Sequence, residues 1–202
     1  MTSADTVLDA FIELIAERGY AEVTLRDVAS AADLALGDLY RLYPDKVALA
    51  GALMTRTDAA VLAGTPRQDD PEETARDRLF DVMMRRYDAL RSYRPALTSI
   101  RRAAARDPLM ALELAPAVRR SMGAMLEAAG LQSEGFAGAL RQSGLLAIHH
   151  AVLRVFLRDD TLDLSKTMAA LDGRLKMAER WALRFEGYAG SQRGQGTHSR
   201  SV

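Results

Sequence analysis

With 202 residues the chain is long enough to bury a substantial core, as one large domain or as a small domain joined to a larger one. It contains no cysteine, which excludes disulfides and thiolate metal sites and suits a reducing cytoplasm, and no apolar run approaches the ~20 residues of a membrane span. The 27 basic and 27 acidic side chains cancel, yet residues 1–50 set Arg18, Arg26, Arg41 and Lys46 against nine acids, a net −5 and the opposite sign to the usual DNA-binding surface.

Helical periodicity runs through almost every segment and no stretch alternates with period two, so the chain reads as all-α. Asp5 and Asp9 stand where a secretory leader would carry cations, and a cytoplasmic protein is expected. Leu8, Phe11, Ile12 and Ile15 mark a first helix, which Gly19 ends by offering a left-handed cap. Thr24 caps a second helix, with Asp27 three positions on in the acidic slot of a capping box. A third short helix lies in "LALGDLYRLYPDK", residues 34–46, and stops before Pro44, because proline disfavours a helical conformation in the residue preceding it. Asp45 caps a fourth helix over 45–63, which links to the rest of the chain.

"GTPRQDDPEE", residues 64–73, is the domain boundary: it packs two prolines, a glycine and four acids into ten positions. Beyond it the pattern predicts a helix near 72–92, a shorter one after Pro95, and a kinked or broken region around Pro108 and Pro116. A further helix reaches Gly130, and two long helices follow near 134–158 and 164–186, the second with Trp181 and Phe185. Residues 64–187 form the larger domain, and 188–202, without apolar pattern, a disordered tail.

The second and third helices, joined by "ASAADLA", make a helix-turn-helix within residues 1–50. Gly19-Tyr20, Thr24-Leu25, Val28-Ala29, Gly37, Leu39-Tyr40, Tyr43-Pro44 and Lys46 carry a resemblance: residues 6–50 are similar to the N-terminal domain of the TetR family of bacterial transcriptional regulators. The resemblance implies a TetR-like homodimer, usually a repressor, that binds a double-stranded operator and responds to a small molecule in its larger domain. It places Thr24, Tyr40 and Lys46 against phosphates and Leu36, Asp38 and Arg41 towards base edges, with Ala35 and Tyr43 completing the interface. Arg41 is the reader of this set, since a guanidinium binds guanine bidentately. Asp33 stands at the turn position usually held by glycine, and Ala35 at one usually held by serine or threonine, which leaves the third helix without a side-chain N-cap. Periodicity alone also allows a plain packed bundle with Leu39, Tyr40 and Tyr43 inside.

"RDRLFDVMMRRYDAL" and "DDTLDLSKTMAALDGRL" are similar to segments of TetR-fold lipid-binding accessory proteins of ubiquinone biosynthesis. That likeness implies the alternative function, a lipid- or isoprenoid-binding protein without an operator.

Met83, Met84, Tyr87, Leu90, Tyr93, Leu97, Met110, Leu114, Met122 and Met125 form a methionine-rich apolar set, and thioethers adapt to varied apolar ligands. For any one of them the core is the simpler reading; some are expected to line a cavity for an apolar effector, with His149 facing it. His149 and His150 point about 100° apart on one helix and cannot share a metal, so no metal or cofactor is expected. No nucleophile motif joins a serine, a histidine and a carboxylate, so an enzyme is not expected. Arg85, Arg86, Arg91 and Arg94, with "RRAAARD" at 101–107, read as solvated basic surface. The apolar faces of the last two helices exceed what one bundle partner covers, which predicts a homodimer through them.

Overall fold

Val7, Leu8, Phe11, Ile12 and Ile15 recur every three or four residues and wind α1 (Ser3–Glu17) so that a single stripe is buried. The computed structural model describes residues 3–65 and 72–195, with side chains described to residue 180. Residues 66–71 of the expected boundary, 196–202 of the expected tail, and the side chains of Trp181 and Phe185 lie outside the described residues. Every regular element among the described residues is helical.

Gly19 (φ +95°) turns the chain into the left-handed region after α1, a conformation open to glycine without steric penalty. α2 (Leu25–Ala31) starts from the capping box the sequence predicts: the Asp27 N–H donates to Thr24 Oγ1 at 3.2 Å and the Thr24 N–H donates to Asp27 Oδ2 at 2.8 Å. Asp33 (φ 53°) makes the left-handed turn into α3 (Leu36–Leu42), whose N-cap Ala35 offers no side-chain hydrogen bond. α4 (Lys46–Ala63) starts from Asp45, whose carboxylate accepts the Ala48 N–H at 2.7 Å.

The second unit contains α5 (Ala75–Ala89), one 3₁₀ turn (Arg91–Tyr93), α6 (Arg94–Ala104), α7 (Pro108–Ala128), α8 (Gly135–Phe156) and α9 (Ser165–Gln195). The break expected around Pro108 and Pro116 is replaced by the continuous α7. Pro108 occupies the first helical position, where its missing N–H is no loss, and Asp107 caps the turn by accepting from Leu109 N–H and Met110 N–H at 3.0 and 3.1 Å. Pro116 is exposed within this helix, which packs on α4. At the start of α8, Gly138 lies against the Ser133 backbone so closely that a Cβ would fall 2.1 Å from that residue's carbonyl carbon. α9 continues to Gln195, past the 187 where the apolar pattern ends.

Two seams join the units. α4 runs from the helix-turn-helix into contact with α5 and α7, and α1 packs on α6, where the Tyr20 N–H donates to Ser99 Oγ at 2.6 Å. On the N-terminal side Arg56 of α4 pairs with Asp9 of α1. The corner between α8 and α9 is organised by Asp159, only 1% exposed, whose carboxylate accepts from the Thr161 and Thr167 N–H groups and from both hydroxyls. Burial pushes its pKa up, but these hydrogen bonds outweigh burial and hold it well below the usual carboxylate range.

Candidate nucleic-acid interface

α3 is anchored by one side chain. Leu39 is 0% exposed, and burying it contributes about 1.5–3 kcal/mol. The rest of the helix faces outward: Leu36, Tyr40 and Leu42 are 40%, 60% and 42% exposed, and Gly37 and Arg41 are also exposed. A seven-residue helix this exposed cannot hold itself by local bonding. It is held by packing through Leu39 and by the turn at Asp33, where the Leu34 N–H donates to the Ala29 carbonyl at 2.9 Å.

Of the interface residues read from the sequence, Leu36, Asp38, Tyr40 and Arg41 lie on this protruding helix and Ala35 at its exposed start. Arg41 forms an ion pair with Asp38 one turn back, so the helix carries no net charge from these two. Tyr43 is partly buried behind the helix, and burial raises its pKa. The Thr24 hydroxyl serves α2, donating to Asp27 Oδ2 at 2.6 Å while it caps the helix. Lys46, expected at a phosphate, is turned inward. Its ammonium donates to the Tyr20 and Val23 carbonyls, each at 2.7 Å, and lies 4.5 Å from the Tyr20 ring centroid. Desolvation lowers its pKa, with Glu22 pulling the other way.

A residue that sequence reasoning missed is Arg26, exposed in the first turn of α2 with no ion pair or hydrogen bond among the described residues. The signal was available, because helix N-termini attract phosphate and Arg26 follows the Thr24 cap by two positions.

In the second unit the methionine-rich set is core. Met83, Tyr87, Leu90, Leu97, Met110, Met122, Met125 and His149 are each 6% exposed or less, and Met84, Tyr93 and Leu114 pack partly buried against them. Met84 borders a cleft of about 450 Å³ and Met110 one of about 790 Å³, the latter opening between the α1–α4 side and the α6–α7 side with Tyr20, Lys46, Arg102 and Arg106 in its walls. Tyr87 O–H and His149 Nδ1 are hydrogen-bonded at 3.1 Å with near-parallel rings, and Phe156 packs 5.2 Å from the Tyr87 ring. Desolvation, then the nearby Arg86 and His150, holds the His149 pKa well below its ordinary value, and the ring is neutral. His150 turns the other way, to the Leu146 carbonyl.

Arg86 corrects the reading of its cluster as solvated surface. It is 0% exposed and ion-paired with Asp58 of α4, which also accepts the Ser121 hydroxyl of α7 at 2.7 Å. Its Nε finds no acceptor among the described residues, an unmet demand of the kind that costs about 1–3 kcal/mol. Three helices are thus tied by one buried polar cluster.

An exposed third helix on a three-helix unit, joined by a long fourth helix to a larger helical body, is the arrangement in which a helix-turn-helix presents its second helix. Residues 7–53 match the family described as bacterial regulatory proteins, tetR family. The transcriptional repressor KstR of Mycolicibacterium smegmatis is 42% identical over 71 residues, 31% of this chain and 35% of that protein. The chain therefore spans about a third of the length of that relative. A TetR transcriptional regulator from Nitrosomonas europaea superimposes with a TM-score of 0.70 at 22% identity, covering 87% of this chain and 97% of that one. A TetR regulator from Rhodococcus sp. RHA1 gives 0.61 at 23%, covering 86% and 95%. The match over residues 7–53 is to the tetR family of bacterial regulatory proteins, and the chain as a whole has the fold of the superimposed structures. Among the described residues no helix is long and apolar enough to cross a membrane.

Proposed function

We propose that the protein is a DNA-binding transcriptional repressor that works as a homodimer and is tuned by an apolar small molecule held in the α4–α8 body. One observation carries this reading: α3 stands out from the unit with its readable face exposed and only Leu39 committed to the core. Arg41 would exchange Asp38 for guanine, and Arg26 with the α2 N-terminus would meet phosphate. The repressor character follows KstR, which aligns with part of this chain. A dimer is supported by the uncovered apolar groups Phe136 and Leu140 of α8, 90% and 66% exposed, and Met168 and Met177 of α9, 41% and 44% exposed. The effector domain is supported by the methionine-rich core, whose side chains can repack around a guest.

A lipid-binding accessory protein of the same fold is favoured by a different observation, the inward Lys46 and the Arg41–Asp38 pair on an acidic unit. Mobility shift on the DNA flanking the protein's own gene, at moderate salt and with Arg41→Ala alongside, separates the two. The repressor reading predicts a shift that Arg41→Ala weakens. No shift there or on a genomic selection library refutes it in favour of the accessory protein.

A further inference from the structure

Among the described residues Arg86, Arg94 and Arg101 each have a buried nitrogen without an acceptor, and Arg86 is the one of the three whose side chain is wholly buried. It is wholly buried, its charge is matched by Asp58 on α4, and Nη2 meets the Met54 sulfur at 3.7 Å, while Nε has no acceptor among the described residues. Arginine does not deprotonate in proteins, so the chain cannot relieve this by losing a proton. Native interiors leave few buried donors unpaired, and each calls for an acceptor. Tyr87, the next residue, is already paired with His149, and the fully buried Met83, Met122 and Met125 of the same helical layers are thioethers that change shape at little cost.

We propose that the interior between α4, α5, α7 and α8 takes an apolar ligand whose polar group is an uncharged acceptor, a ketone, ester or amide carbonyl, seated on Arg86 Nε–H. This rests on the effector reading above and narrows it to a ligand class. The charge balance decides the class. Arg86 and Asp58 cancel, Ser121 is neutral, and the Tyr87–His149 pair adds no charge. A carboxylate on Nε would bring one uncompensated negative charge into a desolvated site, and an ammonium would bring a positive one beside a carboxylate already engaged by Arg86 and Ser121. A carbonyl satisfies the Nε–H, the one nitrogen of the group with no acceptor, and leaves the charge at zero. Because Asp58 belongs to α4, which begins beside the helix-turn-helix, an acceptor at Nε acts on the Arg86–Asp58–Ser121 tie and so on the element that carries the N-terminal unit.

The test uses probes with one ten-carbon body and three head groups: 2-decanone, decanoate and decylammonium. Binding to the full-length protein is followed by calorimetry and thermal shift, together with the 15N–1H Nε resonance of Arg86, assigned by its loss in Arg86→Lys. The expected result is that 2-decanone binds at least about ten-fold tighter than either ion, moves the Nε resonance, and loses about ten-fold in Arg86→Lys, which keeps a cation opposite Asp58 but lacks Nε. If Arg86→Lys does not fold, the head-group ranking on the unaltered protein still decides. Decanoate or decylammonium binding as tightly as the ketone, or ketone binding that leaves Nε unmoved, overturns the carbonyl assignment while the effector reading stands. No binding by any probe overturns both.

Discussion

Lys46→Met removes an ammonium that the structure commits to the fold and that the family resemblance would commit to DNA. The two carbonyls it serves, Tyr20 and Val23, lie on the loop between α1 and α2, so the ammonium ties the start of α4 to the far end of the helix-turn-helix unit. A hydrogen bond from a charged donor is worth about 1.5–3 kcal/mol net, and partial exposure moves each towards the lower end. Methionine keeps the packing on the Tyr20 ring, so the expected loss is about 2 kcal/mol. For a chain of this size that lowers Tm by about 4–8 °C, measurable by circular dichroism. The same variant leaves the salt dependence of DNA binding unchanged, because a side chain turned inward releases no counterion. A phosphate contact would instead lower the slope of log K against log salt by about 0.9. A Tm within a degree of the unaltered protein, together with a slope reduced by one phosphate, would refute the inward placement.

Three further outcomes follow from local chemistry. Asp33→Val places a β-branched residue at a left-handed position and should destabilise by about 1–2 kcal/mol, whereas Ala35→Ser adds the missing cap of α3 and should stabilise by about 1 kcal/mol, both read from urea midpoints. His149 is neutral when folded, so below pH ~6.5 the unfolded chain takes up a proton that the folded chain refuses; stability falls with pH by up to about 1.4 kcal/mol per unit, and His149→Gln should flatten that segment of the profile. The depressed pKa of Asp159 stabilises the fold above the ordinary carboxylate range and is lost as pH falls through the folded value. Asp159→Asn should therefore cost about 1–3 kcal/mol at neutral pH, with the gap to the unaltered protein narrowing below pH ~4 in acid-unfolding titrations.

What could be read from the residues was what depends on near neighbours. The Thr24–Asp27 box, the Asp45 cap and Gly19 each need only three or four positions to declare themselves, and all three are present in the structure, whereas the turn at Asp33 was read through the family resemblance. Lys46 could not be placed this way, because its acceptors lie 23 and 26 residues earlier and are backbone carbonyls that carry no residue-specific signal. Arg86 was legible in part. It falls three positions after Met83, seven after Leu79 and four before Leu90, inside the buried stripe of α5, but an arginine among arginines reads as surface until Asp58 is brought against it from 28 residues away. The continuity of α7 through Pro116 goes with its packing on α4, a tertiary contact without a local mark.

For a protein that works on DNA, the Arg41–Asp38 pair matters most away from the operator. Random chromosomal duplex holds proteins through phosphate neutralisation alone and offers millions of competing positions. Among the described residues of 1–50, Arg26 is the cation left unpaired, so this unit would dwell only briefly on irrelevant sequence. Fewer copies would be lost to the bulk of the chromosome, and a small cellular pool would keep a single regulated site filled.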